Sequence, residues 1–275
     1  MKVALLLKGS SINSYHHWQY KDRISIDYKH SLENFKANII DNNNCDVFFH
    51  TWKSQDVDID RYEEIAKDYN AVSYIIDDDI NGDYGPNLGK KVITTTKRVI
   101  QCYKEYITKY NKVYDLVIIC RFDLFFFHKI DLRKILDLNI LGNTIFVYAL
   151  ESNINNSVIN KSTTKEQGID DNFVVFTPDV INEYDVALDL KTETIATTRS
   201  PEFFNPKQHC SLHHLYFLLD DKIVIKNLVD VFTHIDRQSL YGTTKGLEQD
   251  SSLIRKCDKQ KYLKIHENLF VIHYS

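Results

Sequence analysis

Two charges interrupt the most apolar stretch of the chain. Within Tyr114 to Phe127, the run from Leu116 reads Leu-Val-Ile-Ile-Cys-Arg-Phe-Asp-Leu-Phe-Phe-Phe, which places Arg121 and Asp123 inside it. Charges are not carried into a core without partners, because desolvation is costly. Arg121 and Asp123 therefore belong where a strand leaves its sheet, the end at which open α/β sheets bind ligands. An Arg–Asp pair that ties down a strand end accounts for the same residues. Near the start, Lys8-Gly9-Ser10-Ser11 follows the apolar run Val3 to Leu7. A small-residue turn after a first strand is where α/β proteins receive a nucleotide, and Lys8 adds positive charge. Any βα turn uses Gly and Ser in the same way.

Three further groups could do chemistry. Asp77-Asp78-Asp79 offers carboxylates for a divalent cation, although a solvated turn is the ordinary fate of such a run. Asp170 and Asp171 stand before an apolar strand and directly after the polar stretch 151–168, whose length suggests a lid or a disordered loop. His209, Cys210, His213 and His214 have helical spacing that could bind zinc, but no second ligand pair accompanies them. Gly82 to Lys91 is not a P-loop. Gly85 and Gly89 are one residue too close, and Lys91 stands where Ser or Thr should hold the metal.

These residues need elements to position them. Val3–Leu7, Cys45–His50, Ala71–Ile76, Leu116–Cys120, Thr144–Leu150 and Phe173–Thr177 read as strands. Further short strands are expected near 222–226, 229–233 and 269–273. Helices are expected over 31–40 with Ser31 as cap, 60–69, 91–110, 132–138, after Pro178 with Thr177 as cap, and 207–219. Residues 12–30 read as an irregular connection. His50-Thr51-Trp52 closes the second strand, and Arg98 lies on the helix before the organising strand.

Bulk properties exclude several classes. A net charge of −4 gives no pull toward nucleic acid, and 43% apolar residues suffice for a core. No apolar run is long enough for a signal-peptide core or a bilayer span. Five cysteines without a C-x-x-C pair argue for a reducing, cytoplasmic setting. The abundance of Asn and Lys reads as genomic bias. With no repeat and no linker, one domain over 1–275 is the economical organisation.

Four stretches then occur in a specific order: Val3 to Gly9, Asp46 to Trp52, Tyr114 to Leu124 with Arg121-Phe122-Asp123, and Asp170-Asp171-Asn172-Phe173. In that order the chain resembles the GT-A-type nucleotide-sugar glycosyltransferases, in particular sets from large DNA viruses and bacterial polysaccharide clusters. The resemblance covers most of the first two-thirds. It implies an α/β, Rossmann-like GT-A fold with a mixed, mostly parallel central sheet flanked by helices. It implies transfer of a sugar from a UDP- or GDP-sugar to a hydroxyl of a glycan or other acceptor, in host cytoplasm if the source is viral.

By that resemblance Arg121-Phe122-Asp123 takes the place of the metal-binding Asp-x-Asp motif, with Arg in place of the first Asp. Asp123 would hold Mn²⁺ or Mg²⁺, or Arg121 would face the phosphates through its planar fork. Lys8, Gly9, Thr51 and Trp52 would join Arg121 around the donor; Arg98, from its place on the helix alone, is a further donor-binding candidate, though a surface Arg accounts for it as well. Asp171, or its neighbour Asp170, would be the acceptor-side base. His234 and His273 are further metal-ligand candidates, though buried strand histidines are commoner. Three rivals are a sugar nucleotidyltransferase, an inactive sugar-binding or scaffold protein of the same fold, and a metal-dependent hydrolase built on Asp77–Asp79.

Overall fold

In the computed structural model, residues 1–16, 23–54, 57–78, 88–138, 142–149, 169–197, 219, 222–228 and 241–243 are described. The elements run β1 (Val3–Lys8), β2 (Ile12–His16), β3 (Arg23–Asp27), α1 (Lys29–Phe35), a π-helical turn (Lys36–Ile40) and α2 (Asp41–Asn43). Next come β4 (Cys45–Lys53), α3 (Ile59–Asp68), β5 (Ser73–Asp78), α4 (Leu88–Tyr110), β6 (Leu116–Arg121), β7 (Leu124–Phe126) and α5 (Arg133–Leu136). The remainder are β8 (Thr144–Ala149), β9 (Ile169–Phe176), α6 (Val180–Thr197), β10 (Val224–Asn227) and β11 (Tyr241–Thr243).

Among the described residues, seven strands form one sheet in the order β10-β8-β9-β6-β1-β4-β5. β6, β1, β4 and β5 are mutually parallel, and β9 alone runs antiparallel to its neighbours β6 and β8. This is the mixed, mostly parallel α/β sheet of Rossmann type expected from the sequence. The sheet separates two apolar layers. Ala4, Leu6, Phe48, Val117 and Ile119 meet the α4 and α6 side, while Val3, Leu5, Leu7, Phe49, Leu116 and Ile118 meet Leu32, Phe35 and Ile65 from α1 and α3. Strands covered on both faces must be apolar at successive positions. That is why Leu116 to Cys120 is unbroken, and all five residues are buried.

Several local expectations need correction. Part of the stretch 12–30 is a β-hairpin, with Ile12 opposite Asp27 and His16 opposite Arg23. Its base is closed by the Tyr28 amide donating to the Ser11 carbonyl at 2.8 Å. Ser31 does not cap a helix. α1 starts at Lys29, and the Ser31 hydroxyl turns to the carbonyls of Tyr28 and Phe122. Thr177 caps nothing either; its hydroxyl accepts from the Thr144 amide at 2.9 Å, and α6 begins at Val180.

β4 and β5 run further than their apolar cores because each supplies the other's ladder out to Lys53 and Asp78. Thr51, Trp52 and Asp77 are therefore strand residues. Likewise β9 begins at Ile169, since β8 pairs Tyr148 with Asp170 and Ala149 with Ile169. Asn44, Asn70 and Asn111 follow α2, α3 and α4 with φ of 53°, 49° and 49°. Asn is the residue after Gly that best tolerates this left-handed position, so part of the Asn excess ends helices.

Candidate active site

Three neighbouring parallel strands end in a row of polar residues. Lys8 on β1 is in register with His50 on β4 and with Arg121 on β6. Side chains alternate along a strand, so residues in register on parallel strands share a face. Ala4 and Leu6 place Lys8 on the α4 side, Phe48 does so for His50, and Ile119 for Arg121. The row thus continues an apolar face into two cations and an imidazole at the carboxyl edge of the sheet.

Helix α4 holds that row from beneath. The Lys8 ammonium donates to Thr96 Oγ1 at 3.2 Å, and the Thr96 hydroxyl donates to the Val92 carbonyl at 2.7 Å. Gly9, at φ +97°, donates its N–H to Thr95 Oγ1 at 3.0 Å. A positive φ of this size suits Gly. Thr95 Oγ1 also lies 2.6 Å from His50 Nδ1, and His50 Nε2 lies 3.2 Å from Asp77 Oδ2. Asp77 in turn accepts two bonds from the Arg98 fork, at 2.7 and 2.8 Å.

The protons in this chain of contacts have one consistent arrangement. Burial pushes the His50 imidazole down to about 4, against the opposing pull of Asp77, so the ring is neutral near pH 7. The Arg98 bonds hold the Asp77 carboxyl below the usual carboxylate range, so Asp77 only accepts. His50 must then carry its proton on Nε2. Nδ1 accepts the Thr95 hydroxyl, which leaves Thr95 Oγ1 to accept from Gly9. Arg98 is thereby an anchor between α4 and the edge strand β5, joined to the row through Asp77 and His50.

The first two strand exits are laced together. Thr51 Oγ1 accepts the Ser11 amide at 3.1 Å and lies 2.7 Å from Ser11 Oγ. Thr51 is buried, and the Trp52 ring stands edge-on to His50 with centroids 4.8 Å apart. Thr51 and Trp52 thus border the row beside the β1 turn.

At the third exit the chain turns sharply through Phe122 and Asp123 into β7. Arg121 grips Asp123 with two parallel bonds, Nε to Oδ1 at 2.7 Å and Nη2 to Oδ2. Arg121 Nη1 reaches Asn172 Oδ1 on β9 at 3.1 Å. The turn is pinned by α1. Ser31 holds the Phe122 carbonyl, and the Asn34 amide group bonds both the N–H and the carbonyl of Phe126, as a neighbouring strand would. The couple differs sharply in exposure: the Arg121 side chain is 30% exposed, Asp123 only 2%.

Because Cys120 pairs with Phe173, the start of β9 projects past the end of β6. Asp170 and Asp171 sit on that projection, next in sequence to Asn172, so the backbone brings them to the same edge as Arg121. The structure therefore gathers Lys8, Gly9, Thr51, Trp52, Arg121, Asp123 and the Asp170–Asp171 backbone. Sequence reasoning names His50, Ser11 and Asn172 only inside longer stretches and gives them no role, and it misses Thr95 and Thr96. One signal was present for two of them. Thr94-Thr95-Thr96 is a run of poor helix formers inside a helix, and Thr95 and Thr96 are buried there. Cys120 is excluded as a nucleophile, since burial raises its thiol far above the ordinary range. The stretch 151–168, residues 207–218 of the helix expected over 207–219 with its histidines, His234 and His273 lie outside the described residues.

Asp123 as arranged does not fit a divalent metal. Both of its oxygens are engaged by one guanidinium, and it is almost wholly enclosed. Among the described residues no three His, Cys, Asp or Glu side chains gather into a metal-sized group. Also among them, no helix is long and apolar enough to cross a membrane.

No protein-family model matches the sequence, and no curated protein matches it. Solved structures do. A nucleoside-diphosphate-sugar pyrophosphorylase from Vibrio cholerae RC9 is 11% identical, with 82% of this chain and 91% of that chain covered and a TM-score of 0.41. The glycosyltransferase GlyE of Streptococcus pneumoniae TIGR4 is 10% identical over 96% of this chain and 60% of that chain, at 0.47. A glycosyltransferase involved in glycosylation of the major capsid of PBCV-1 is 8% identical over 97% and 98%, at 0.39.

Proposed function

We propose that this chain is a nucleotide-sugar-dependent glycosyltransferase, moving a sugar from a UDP- or GDP-sugar to an acceptor hydroxyl. The observation that carries the reading is the in-register row Lys8, His50 and Arg121 at the carboxyl edge of the parallel strands. That edge is where α/β sheets receive phosphates. In the transfer, the bond between the sugar's anomeric carbon and the diphosphate oxygen breaks, and a bond to the acceptor oxygen forms. Negative charge grows on the departing diphosphate. Preorganised cations stabilise such charge most effectively in a site with little water.

Asp171, or Asp170, is assigned the acceptor-side role. In an inverting reaction its carboxylate takes the proton from the attacking hydroxyl. Gly9, Thr51 and Trp52 border the nucleotide side. The nucleotidyltransferase alternative is disfavoured by the β1 turn. Such enzymes need a Gly-rich loop whose N–H groups cradle a triphosphate, and here the Gly9 N–H is already donated to Thr95.

The test is thermal unfolding with nucleotides and nucleotide sugars, followed by release of nucleoside diphosphate. UDP, GDP or their sugars should raise the unfolding midpoint. Asp171→Asn or Asp170→Asn should preserve that rise and lower transfer by about 10²-fold or more. Stabilisation by nucleoside triphosphates alone would move the assignment to a nucleotidyltransferase. Indifference to every nucleotide would end the transferase reading.

A further inference from the structure

We infer that the group facing the donor's diphosphate at the β6 exit is the Arg121 guanidinium itself, with Asp123 as its buried counter-ion, so that donor binding requires no divalent metal. The inference rests on the transferase reading and concerns how that site handles charge.

The burial of the couple decides which partner a ligand can reach. Arg121 is 30% exposed while Asp123 is 2% exposed, so of the two it is the guanidinium that a ligand meets. A metal ion needs the opposite arrangement, with carboxylate oxygens open and cations withdrawn. Here each Asp123 oxygen accepts one arm of the guanidinium fork, the strongest geometry available to an Arg–carboxylate pair. A divalent ion at Asp123 would have to expel that fork or lie against it.

Nor can Asp123 easily swing outward. Its turn is held by the Ser31 hydroxyl on the Phe122 carbonyl and by Asn34 on both backbone groups of Phe126. Phe122, between Arg121 and Asp123, is fully buried. The Arg121 plane is fixed on its other side by Asn172 Oδ1. A planar guanidinium oriented in this way suits the oxygens of a phosphate. Lys8 is the in-register neighbour of Arg121, so a second cation stands on the adjoining strand. In this arrangement Asp123 is a positioning residue. It sets the angle of Arg121 and offsets the repulsion between Arg121 and Lys8.

Binding of UDP, GDP and inorganic pyrophosphate to the full chain, measured by calorimetry in EDTA and again with Mn²⁺, tests this. Affinity for UDP or GDP should agree within about twofold between the two conditions, against the tenfold or larger loss that removal of a charge-assisted fork brings. Arg121→Gln should weaken binding about tenfold or more in both, with Arg121→Lys intermediate because it keeps charge but loses the fork. Asp123→Asn should weaken binding by the same factor with and without Mn²⁺. If Arg121→Gln does not fold, the wild-type comparison and Arg121→Lys decide the matter. Binding that appears only with Mn²⁺, or an Asp123→Asn defect confined to Mn²⁺, would overturn the inference and leave the transferase reading standing. Absence of UDP and GDP binding in both conditions would defeat the transferase reading, and this inference with it.

Discussion

The buried imidazole of His50 makes stability depend on pH in a calculable way. Its side chain is 0% exposed, and it titrates at about 4 in the fold against an ordinary value near 6.5. Between those values the unfolded chain holds a proton that the folded chain refuses. Stability from this group is therefore complete above about pH 6.5 and drains away as pH falls toward 4. Integrating the difference from pH 7 to pH 5 gives about 2 kcal/mol. Asp77 contributes in the same direction but in a lower window, below its ordinary carboxylate value, because Arg98 holds it down. His50→Gln removes the titrating group. The stability gap between wild type and His50→Gln, from urea unfolding at both pH values, should shrink by about 2 kcal/mol on going from pH 7 to pH 5. Parallel pH profiles for the two proteins, or a His50 imidazole resonance, identified by its absence from His50→Gln, that titrates near 6.5, would refute the buried neutral ring and the proton order from Asp77 to Gly9.

Two further outcomes follow from the same framework. Thr95→Val leaves the Gly9 N–H and His50 Nδ1 without their shared hydroxyl. It should cost about 1–3 kcal/mol in urea unfolding, with Thr95→Ser restoring most of it. Gly9→Ala meets no atom within 4 Å, so only the backbone at φ +97° resists it. The cost should be about 1–2 kcal/mol, with a larger proportional loss of nucleotide affinity than of stability if the turn borders the donor.

Much of the framework could be read from residue types. The unbroken run Leu116 to Cys120 marked a strand covered on both faces, and the charges after it marked that strand's end. Both inferences use only local periodicity and the cost of burying charge, which do not depend on what the rest of the chain does. Element ends were harder to read. β4, β5 and β9 each extend into polar residues because a neighbouring strand supplies ladder bonds there. The carboxylate of Asp77 looked like part of a solvated turn for the same reason, until β4 and α4 gave it His50 and Arg98.

By itself, then, the sequence determined which strand is central and that Arg121 and Asp123 stand where it leaves the sheet, since apolar burial is written residue by residue. Only the tertiary structure decided that Lys8, His50 and Arg121 share one row. It alone decided that Thr95 serves both Gly9 and His50, 86 and 45 residues away in the chain. It alone turned the cation of the Arg121–Asp123 couple outward and its carboxylate in. Hydrogen bonds and ion pairs reach only a few ångströms and depend on direction, so their partners are chosen by register and packing, which no local pattern encodes.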